Sequence, residues 1–554
     1  MNRVSRLDFL RSGLLLGGSL LVGRCVSNPF ASVNHFELLI TDALICDGSG
    51  QEPYYGDVGL SNGLIYRVGE LRGTTARRVI SARGQAVSPG FIDLHSHSDL
   101  SLLLDGRAHS KLQQGVTTEV LGQDGRSLAP LNASMERALT NHLRTAFRLN
   151  AGWNDFSGYY RSLMEGGIAI NAVSMVGSGT LREYLIGYQN RSLEADELAR
   201  GRALVRQAMQ DGAIGLSSGL EYLPGSYAPT AELAALASEA GLYATHMRSE
   251  DERVIPALRE AITIARDGRS ALHVSHIKAQ GRRNWDRQDQ MLLLMDEARE
   301  SGMAVTCDRY PYLAYNTLLL NLFPLHLREQ GLPAIRRLLA NPLERQWIKS
   351  EVEYKVTDLG SYHDVMLAMV TNPAYRWLES KRLDEAARLL GRDPFDLLCD
   401  LVLSGSSTMI GFGMDEENLE KLLRYPYCAI ASDGAALTDG ERVGHPHPRN
   451  FGTFPRVLAR YVRERRTITL QEAIRKMTSL PARILGVRGR GLIEPTYHAD
   501  LVIFRPDLIQ DQATYDSPRQ FPTGISYVIV NGRVVLDQGD ISPERPGRIL
   551  QRET

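Results

Sequence analysis

The sequence predicts an α/β protein centred on a (β/α)8 TIM-like barrel, with a small β-sandwich domain built from both chain ends and a helical insertion near the barrel mouth. Three observations predict it. Eight short apolar runs alternate with amphipathic helical patterns through the middle of the chain; repeated βα units argue a parallel sheet, and eight of them a closed barrel. Both ends of the chain carry strand-and-turn patterns, and neither end alone has enough strands for a stable core. One interval, 317–417, is polar and helical in pattern and lacks any barrel-strand signal.

Taken in order, residues 1–31 do not read as part of the fold. Arg3, Arg6 and Arg11 flank the apolar stretch Gly13 to Gly23, which is short for a bilayer span but suits the core of a signal peptide. Ser5 to Arg11 resembles a twin-arginine export signal with Leu7 in place of the second arginine, and Leu21 to Cys25 resembles a lipoprotein cleavage site with Arg24 where a small residue is expected. The expectation is an exported, periplasmic protein, with a lipid anchor at Cys25 as the alternative to plain cleavage. Residues 32–86 follow as the first part of the β domain: Phe36 to Asp47 is strand-like, and Asp57-Val58-Gly59-Leu60 and Leu64 to Val68 flank the hairpin signal Ser61-Asn62-Gly63. The barrel is placed at 87–484. Its strands are Phe91 to His95, Val116 to Leu121, Ala169 to Val176, Ala213 to Ser218, Tyr243 to Met247, Leu272 to Ile277, Ala304 to Asp308 and Cys428 to Ser432, with helices such as Ala231 to Ala240 and Arg253 to Ala265 between them. Residues 485–554 return to β character, with Ala499 to Phe504 and a hairpin over Tyr527 to Val535 that turns at Asn531-Gly532.

Composition excludes several classes. With 554 residues, 43% hydrophobic and 23% charged, the chain is an ordinary globular protein. The 63 basic and 64 acidic residues balance, and no basic stripe is interleaved with aromatics, so nothing points to nucleic acid. The five cysteines are scattered and contain no C-x-x-C, which argues against a disulfide framework or a thiolate zinc site. The mature chain carries no membrane-span pattern.

In such a barrel, function sits at the carboxyl ends of the strands. The polar residues there are His95 and His97 on strand one, Asp124 after strand two, His246 on strand five, His276 on strand six and Asp433 after strand eight. His95 and His97 alternate along one strand and so face one side. Four histidines and two aspartates on one mouth suit zinc or a similar divalent ion. His273 and His109 end no strand and are read as structural.

The segments GFIDLHSHSD (90–99), QGVTTEVLGQDGRSLAP (114–130), GAIGLSSGLEYLPGSYA (212–228), YATHMRSE (243–250), HVSHIKAQG (273–281), DRYPYLAYNT (308–317), ASDG (431–434) and HPHPRNFGTFPRVL (445–458) make the chain similar to the amidohydrolase superfamily, and within it to the D-aminoacylase (N-acyl-D-amino-acid deacylase) family. The resemblance covers about residues 36–540. It implies metal ligands at His95, His97, position 124, His246 and His276, with Asp433 as the catalytic carboxylate and one or two zinc ions as cofactor. Position 124 departs from the pattern, since the characterised family members carry a cysteine where this chain has Asp124. The resemblance also implies a grip on the substrate's carboxylate by Lys278 and Tyr310, with Asn316 where the family has serine. The implied reaction is metal-assisted hydrolysis of N-acyl-D-amino acids. Dipeptides with a carboxyl-terminal D residue, or a metal-binding protein that has lost activity, are the alternatives. Against loss, the exchange of thiolate for carboxylate keeps a charge of about −1 at the metal position.

Overall fold

The computed structural model describes residues 35–150, 152–438 and 444–552; the export signal and Cys25 expected at 1–31 lie outside the described residues. Eight parallel strands stand in the expected order: Phe91–Asp93, Val116–Leu121, Asn171–Ser174 continued by Val176–Gly177, Leu216–Gly219, Leu242–His246, Ala271–Val274, Val305–Arg309 and Cys428–Ile430. Each pairs in parallel with the next. The ring closes between the last strand and the first, where the Asp433 N–H donates to the His95 carbonyl at 2.9 Å and the His97 N–H to the Gly434 carbonyl at 3.0 Å. Helices wrap the outside with one apolar stripe each. In Val254–Asp267 the buried residues are Val254, Ala257, Leu258, Ala261, Ile264 and Ala265, the spacing of a single helix face.

A buried cation ties this closure together. The Lys111 ammonium lies 2.6 Å from Asp93 Oδ2 on strand one and 2.8 Å from Glu119 Oε1 on strand two, and donates to Ser432 Oγ at 2.8 Å and to the Gly434 carbonyl at 3.0 Å beyond strand eight. Ser432 and Gly434 flank Asp433, so the same ammonium that seals the barrel also fixes the backbone of the candidate catalytic carboxylate. Lys111→Met would leave Asp93 and Glu119 buried without their cation. It is expected to lower stability by about 3–5 kcal/mol, read by urea or thermal denaturation.

The β domain is one hydrogen-bonded network of nine strands that forks. Its first strand, His35–Ile45, pairs along one edge with Tyr54–Ser61. Along the other edge it pairs first with Thr75–Ser81 and then, past a bulge at Asp42, with Ala86–Pro89. The carboxyl-terminal strands Leu501–Phe504, Ile525–Val530 and Arg533–Asp537 continue from Ala86–Pro89, so the two chain ends share one core of Leu38, Ile40, Val58, Ile65, Leu501 and Ile503.

Three expectations are corrected. The boundary between β domain and barrel falls at Gly90 rather than at 86, because Ala86–Pro89 pairs with Leu501–Phe504. Gly90 joins the two where no side chain fits, since a Cβ there would lie 2.1 Å from Thr117 Oγ1. The insertion is not purely helical: Ala314–Leu318, Thr408–Phe412 and Val365–Met369 form a three-stranded antiparallel sheet. Finally, the last described residues leave the β domain and return to the barrel, with Ala172 N–H donating to the Arg548 carbonyl and Leu550 N–H to the Ala172 carbonyl.

Candidate metal centre and active site

All six strand-end residues converge, and Asp124 is their hub. Its Oδ1 lies 3.5 Å from His95 Nε2, and its Oδ2 lies 3.6 Å from His97 Nε2, 3.5 Å from His276 Nε2 and 4.0 Å from His246 Nδ1. Asp433 Oδ1 completes the ring, 3.0 Å from His97 Nε2 and 3.7 Å from His95 Nε2. The structure differs from expectation in one detail: strand one ends at Asp93, so His95 and His97 stand on the extension that closes the barrel rather than on the strand itself.

The local backbone is bent to achieve this. Asp124, His276 and Asp433 all have positive φ, at 52°, 34° and 51°. Non-glycine residues adopt this region at a cost of order 1–3 kcal/mol, and it recurs where the surroundings impose it at functional sites. Positive-φ glycines at 122 and 125 bracket Asp124 and turn the chain on either side of it.

These residues fit a divalent ion. His95 Nε2 and Asp124 Oδ1 are buried without a hydrogen-bond partner, and the imidazole nitrogens of His246 and His276 approach each other to 3.0 Å. Buried nitrogen and oxygen ligand atoms crowded toward a common point, two of them unpartnered, are what a cation satisfies. Two overlapping groups of ligand atoms are present, His95–Asp124–His276–Asp433 and His246–Glu250–His276.

Four functional residues escaped the strand-end reading. Behind His95, Asp308 lies 3.5 Å from Nδ1 and also holds His273 Nε2 at 2.8 Å. Behind His276, Glu250 lies 3.0 Å from Nδ1. Behind His246, Glu221 lies 3.9 Å from Nε2. Three of the four histidines therefore have a carboxylate within 4 Å of the nitrogen turned away from the centre, placed to take that nitrogen's proton when the other nitrogen holds a metal. The fourth residue is Arg449, whose Nη1 lies 2.7 Å from Asp433 Oδ2. Asp308 ends an expected strand and was within reach of the same rule; Glu221 and Glu250 sit in irregular loops, and Arg449 opens the helix Arg449–Arg456, away from any strand end. His447 accepts the Arg449 N–H on Nδ1 at 3.0 Å and meets the Ala314 carbonyl through Nε2 at 2.9 Å, so it is a structural support for Arg449. His273 is structural as expected.

The expected substrate contacts line the same cavity of about 770 Å³, together with His97, Asp124, His246, His276 and Asp433. Lys278 Nζ lies 2.6 Å from Glu250 Oε2. Tyr310 is buried with its hydroxyl unpartnered and its ring beneath the Arg449 guanidinium, 4.9 Å from the centroid. Asn316 also lines the cavity and gives one amide N–H to the Met409 carbonyl at 2.9 Å, which leaves the nitrogen a second N–H to donate.

The charges set distinct proton affinities. Burial opposes ionisation of Asp433, yet Arg449, then His276, His97 and His95 overcome it and hold the carboxyl well below its usual range. Burial likewise opposes charging His95 and His246, but Asp124 and Asp308 around the first, and Glu250, Glu221 and Asp124 around the second, raise both above the ordinary histidine value of 6.5. In the metal-free protein protons therefore compete for these nitrogens even near neutrality, while Asp433 stays ionised. The acid limb of activity is accordingly expected to follow metal release, and excess zinc should move it to lower pH. A limb that stays put under a hundredfold excess of zinc would assign it to another group.

Comparisons with known proteins agree with this centre. The amidohydrolase family model matches residues 356–536. The chain is 34% identical to D-aminoacylase of Alcaligenes xylosoxydans xylosoxydans over 521 residues, covering 93% of this chain and 98% of the relative. It is equally similar, at 34% over 93% of this chain and 95% of the relative, to N-acyl-D-aspartate deacylase of the same organism. The crystal structure of N-acyl-D-glutamate deacylase from Bordetella bronchiseptica, complexed with zinc and a phosphonate mimic of the tetrahedral intermediate, superposes with a TM-score of 0.80 at 32% identity over 94% of this chain and 100% of that one. The chain belongs to the amidohydrolase family, in its D-aminoacylase branch.

Proposed function

We propose that this protein hydrolyses N-acyl-D-amino acids to a D-amino acid and a carboxylic acid, using one or two divalent ions, zinc first among them. The observation that carries the reading is the coexistence, in one cavity, of three histidines and two aspartates of the centre with Lys278, Arg449 and the unpartnered Tyr310 hydroxyl. His246, His276 and Asp124 would hold one ion, and His95 and His97 a second that shares Asp124. When bound, such an ion lowers the pKa of its water toward neutrality and polarises the scissile carbonyl. Asp433 receives the water's proton. Arg449 anchors its Oδ2, which leaves Oδ1 turned to the centre, and the same carboxyl later delivers the proton to the leaving amine. Lys278, Tyr310 and Asn316 orient the substrate by its carboxylate, a group that charge-assisted and hydroxyl donors recognise well. Among the described residues no helix is long and apolar enough to cross a membrane, and we place the protein in the periplasm on the strength of residues 1–31, to be checked by fractionating cells.

The test is a panel of N-acetyl amino acids in D and L forms, offered to metal-stripped protein before and after reloading with zinc. Zinc-dependent release of D-amino acids, with L forms untouched, is the expected result. Turnover only of dipeptides ending in a D residue would replace the substrate class, and stoichiometric zinc without turnover of either set would overturn the reading.

A further inference from the structure

Glu250 stands between two parts of the site that otherwise have separate tasks. It follows strand five in an irregular loop, is buried, and has its carbonyl tied to the Gln280 N–H at 2.7 Å. Its Oε1 is 3.0 Å from His276 Nδ1 and its Oε2 is 2.6 Å from Lys278 Nζ. The third side of the triangle is also short: Lys278 Nζ lies 3.1 Å from the same His276 Nδ1. Glu250 Oε1 nevertheless has no aligned donor.

Two of these contacts, Lys278 to Nδ1 and Nδ1 to Glu250 Oε1, are mutually exclusive by proton count. With Lys278 donating to Nδ1, that nitrogen must be bare, the ring's proton sits on Nε2, and Nε2 is the nitrogen facing Asp124. A proton there blocks metal ligation. For Nε2 to hold a metal, Nδ1 must carry the proton and give it to Glu250 Oε1. Lys278 Nζ, itself only a donor, then meets a donor 3.1 Å away. It must turn away from the ring, and the cavity it lines is where a substrate carboxylate arrives.

We propose that Glu250 is a positioning residue that couples recognition of the substrate's carboxylate at Lys278 to the metal affinity of His276. Resting on the functional reading above, this makes the two binding events mutually reinforcing: a carboxylate that draws Lys278 off Nδ1 leaves the proton to Glu250 and the metal to Nε2. By reciprocity, metal in place releases Lys278 toward the substrate to the same extent. A substrate lacking the carboxylate loses this second effect as well as the direct ion pair.

The experiment measures zinc affinity by competition with a chromogenic chelator. The protein carries Asp433→Asn so that substrate is consumed slowly compared with the titration. N-acetyl-D-alanine at saturation is expected to tighten zinc by about 5-fold or more, whereas its neutral carboxamide does not. Adding Glu250→Gln should abolish the tightening and weaken zinc by about 10–100-fold. Lys278→Met in the otherwise unaltered chain gives an independent arm with the opposite sign, since removal of the competing donor should tighten zinc without any ligand. Unchanged zinc affinity with N-acetyl-D-alanine demonstrably bound by calorimetry, or full tightening in the presence of Glu250→Gln, would overturn the coupling. Zinc affinity unaltered or weakened in Lys278→Met would overturn it as well. Absence of any N-acetyl-D-alanine binding would count against the functional reading, and the Lys278→Met arm would still decide the coupling.

Discussion

Asp433→Asn is expected to lower kcat by about 10²–10⁴-fold, about 3–5 kcal/mol of barrier, while zinc content and the melting temperature change little. The amide keeps the shape of the side chain, and asparagine tolerates the positive φ of 51° that this position requires. It loses the ability to take a proton from water. Arg449 then faces a neutral group at 2.7 Å, which is a modest loss beside the catalytic one. The check is paired: kcat for N-acetyl-D-amino acids on one side, metal content by elemental analysis on the other. A fall in kcat matched by an equal fall in bound zinc would make Asp433 a ligand first and a base second.

Removing the hub should have the opposite signature. Asp124→Asn conserves volume and backbone preference but withdraws the charge that all four histidines face. Metal affinity is expected to fall by about 100-fold or more, with activity recovered in part by high zinc. Asp124→Cys is the informative companion. A thiolate keeps the charge but is softer than a carboxylate, so selectivity should swing toward zinc and away from manganese. It also offers one ligand atom in place of two. In this chain Oδ1 faces His95 while Oδ2 faces His97, His246 and His276, so the carboxylate reaches all four histidines through two atoms, which a single thiolate sulfur cannot do. Titration of each metal with dialysis and elemental analysis reads both affinity and stoichiometry. A manganese-to-zinc ratio that Asp124→Cys leaves unchanged would show that the histidines alone set metal choice.

Much of this was legible in the sequence, for physical reasons that also explain the gaps. The barrel strands are short runs buried on both faces, so they stand out against helices that alternate polar and apolar sides. The strand Thr75–Ser81 escaped because it is largely exposed and rich in arginine. Val365–Met369 escaped because Met, Leu and Ala favour helix in isolation, and only its pairing with Thr408–Phe412 makes it a strand. In the site, residues at strand ends were readable because the barrel dictates where those ends point. Glu221 and Glu250 depend on how loops fold over the mouth, and Arg449 on how the helix it opens docks there, and no period in the chain records that.

The antiparallel pair Ala314–Leu318 and Thr408–Phe412 has an evolutionary consequence. Because the insertion leaves and rejoins the barrel at adjoining points, it behaves as a cassette. It has its own apolar cluster, built on residues such as Leu322, Ile335, Val352, Leu367 and Leu398. It supplies Asn316, Asn321, Arg328, Leu332 and Lys355 to the cavity wall, whereas every metal-facing histidine and aspartate belongs to the barrel. Selection can therefore redraw which acyl groups and side chains are admitted by altering one contiguous stretch of gene, leaving the bond-breaking machinery untouched.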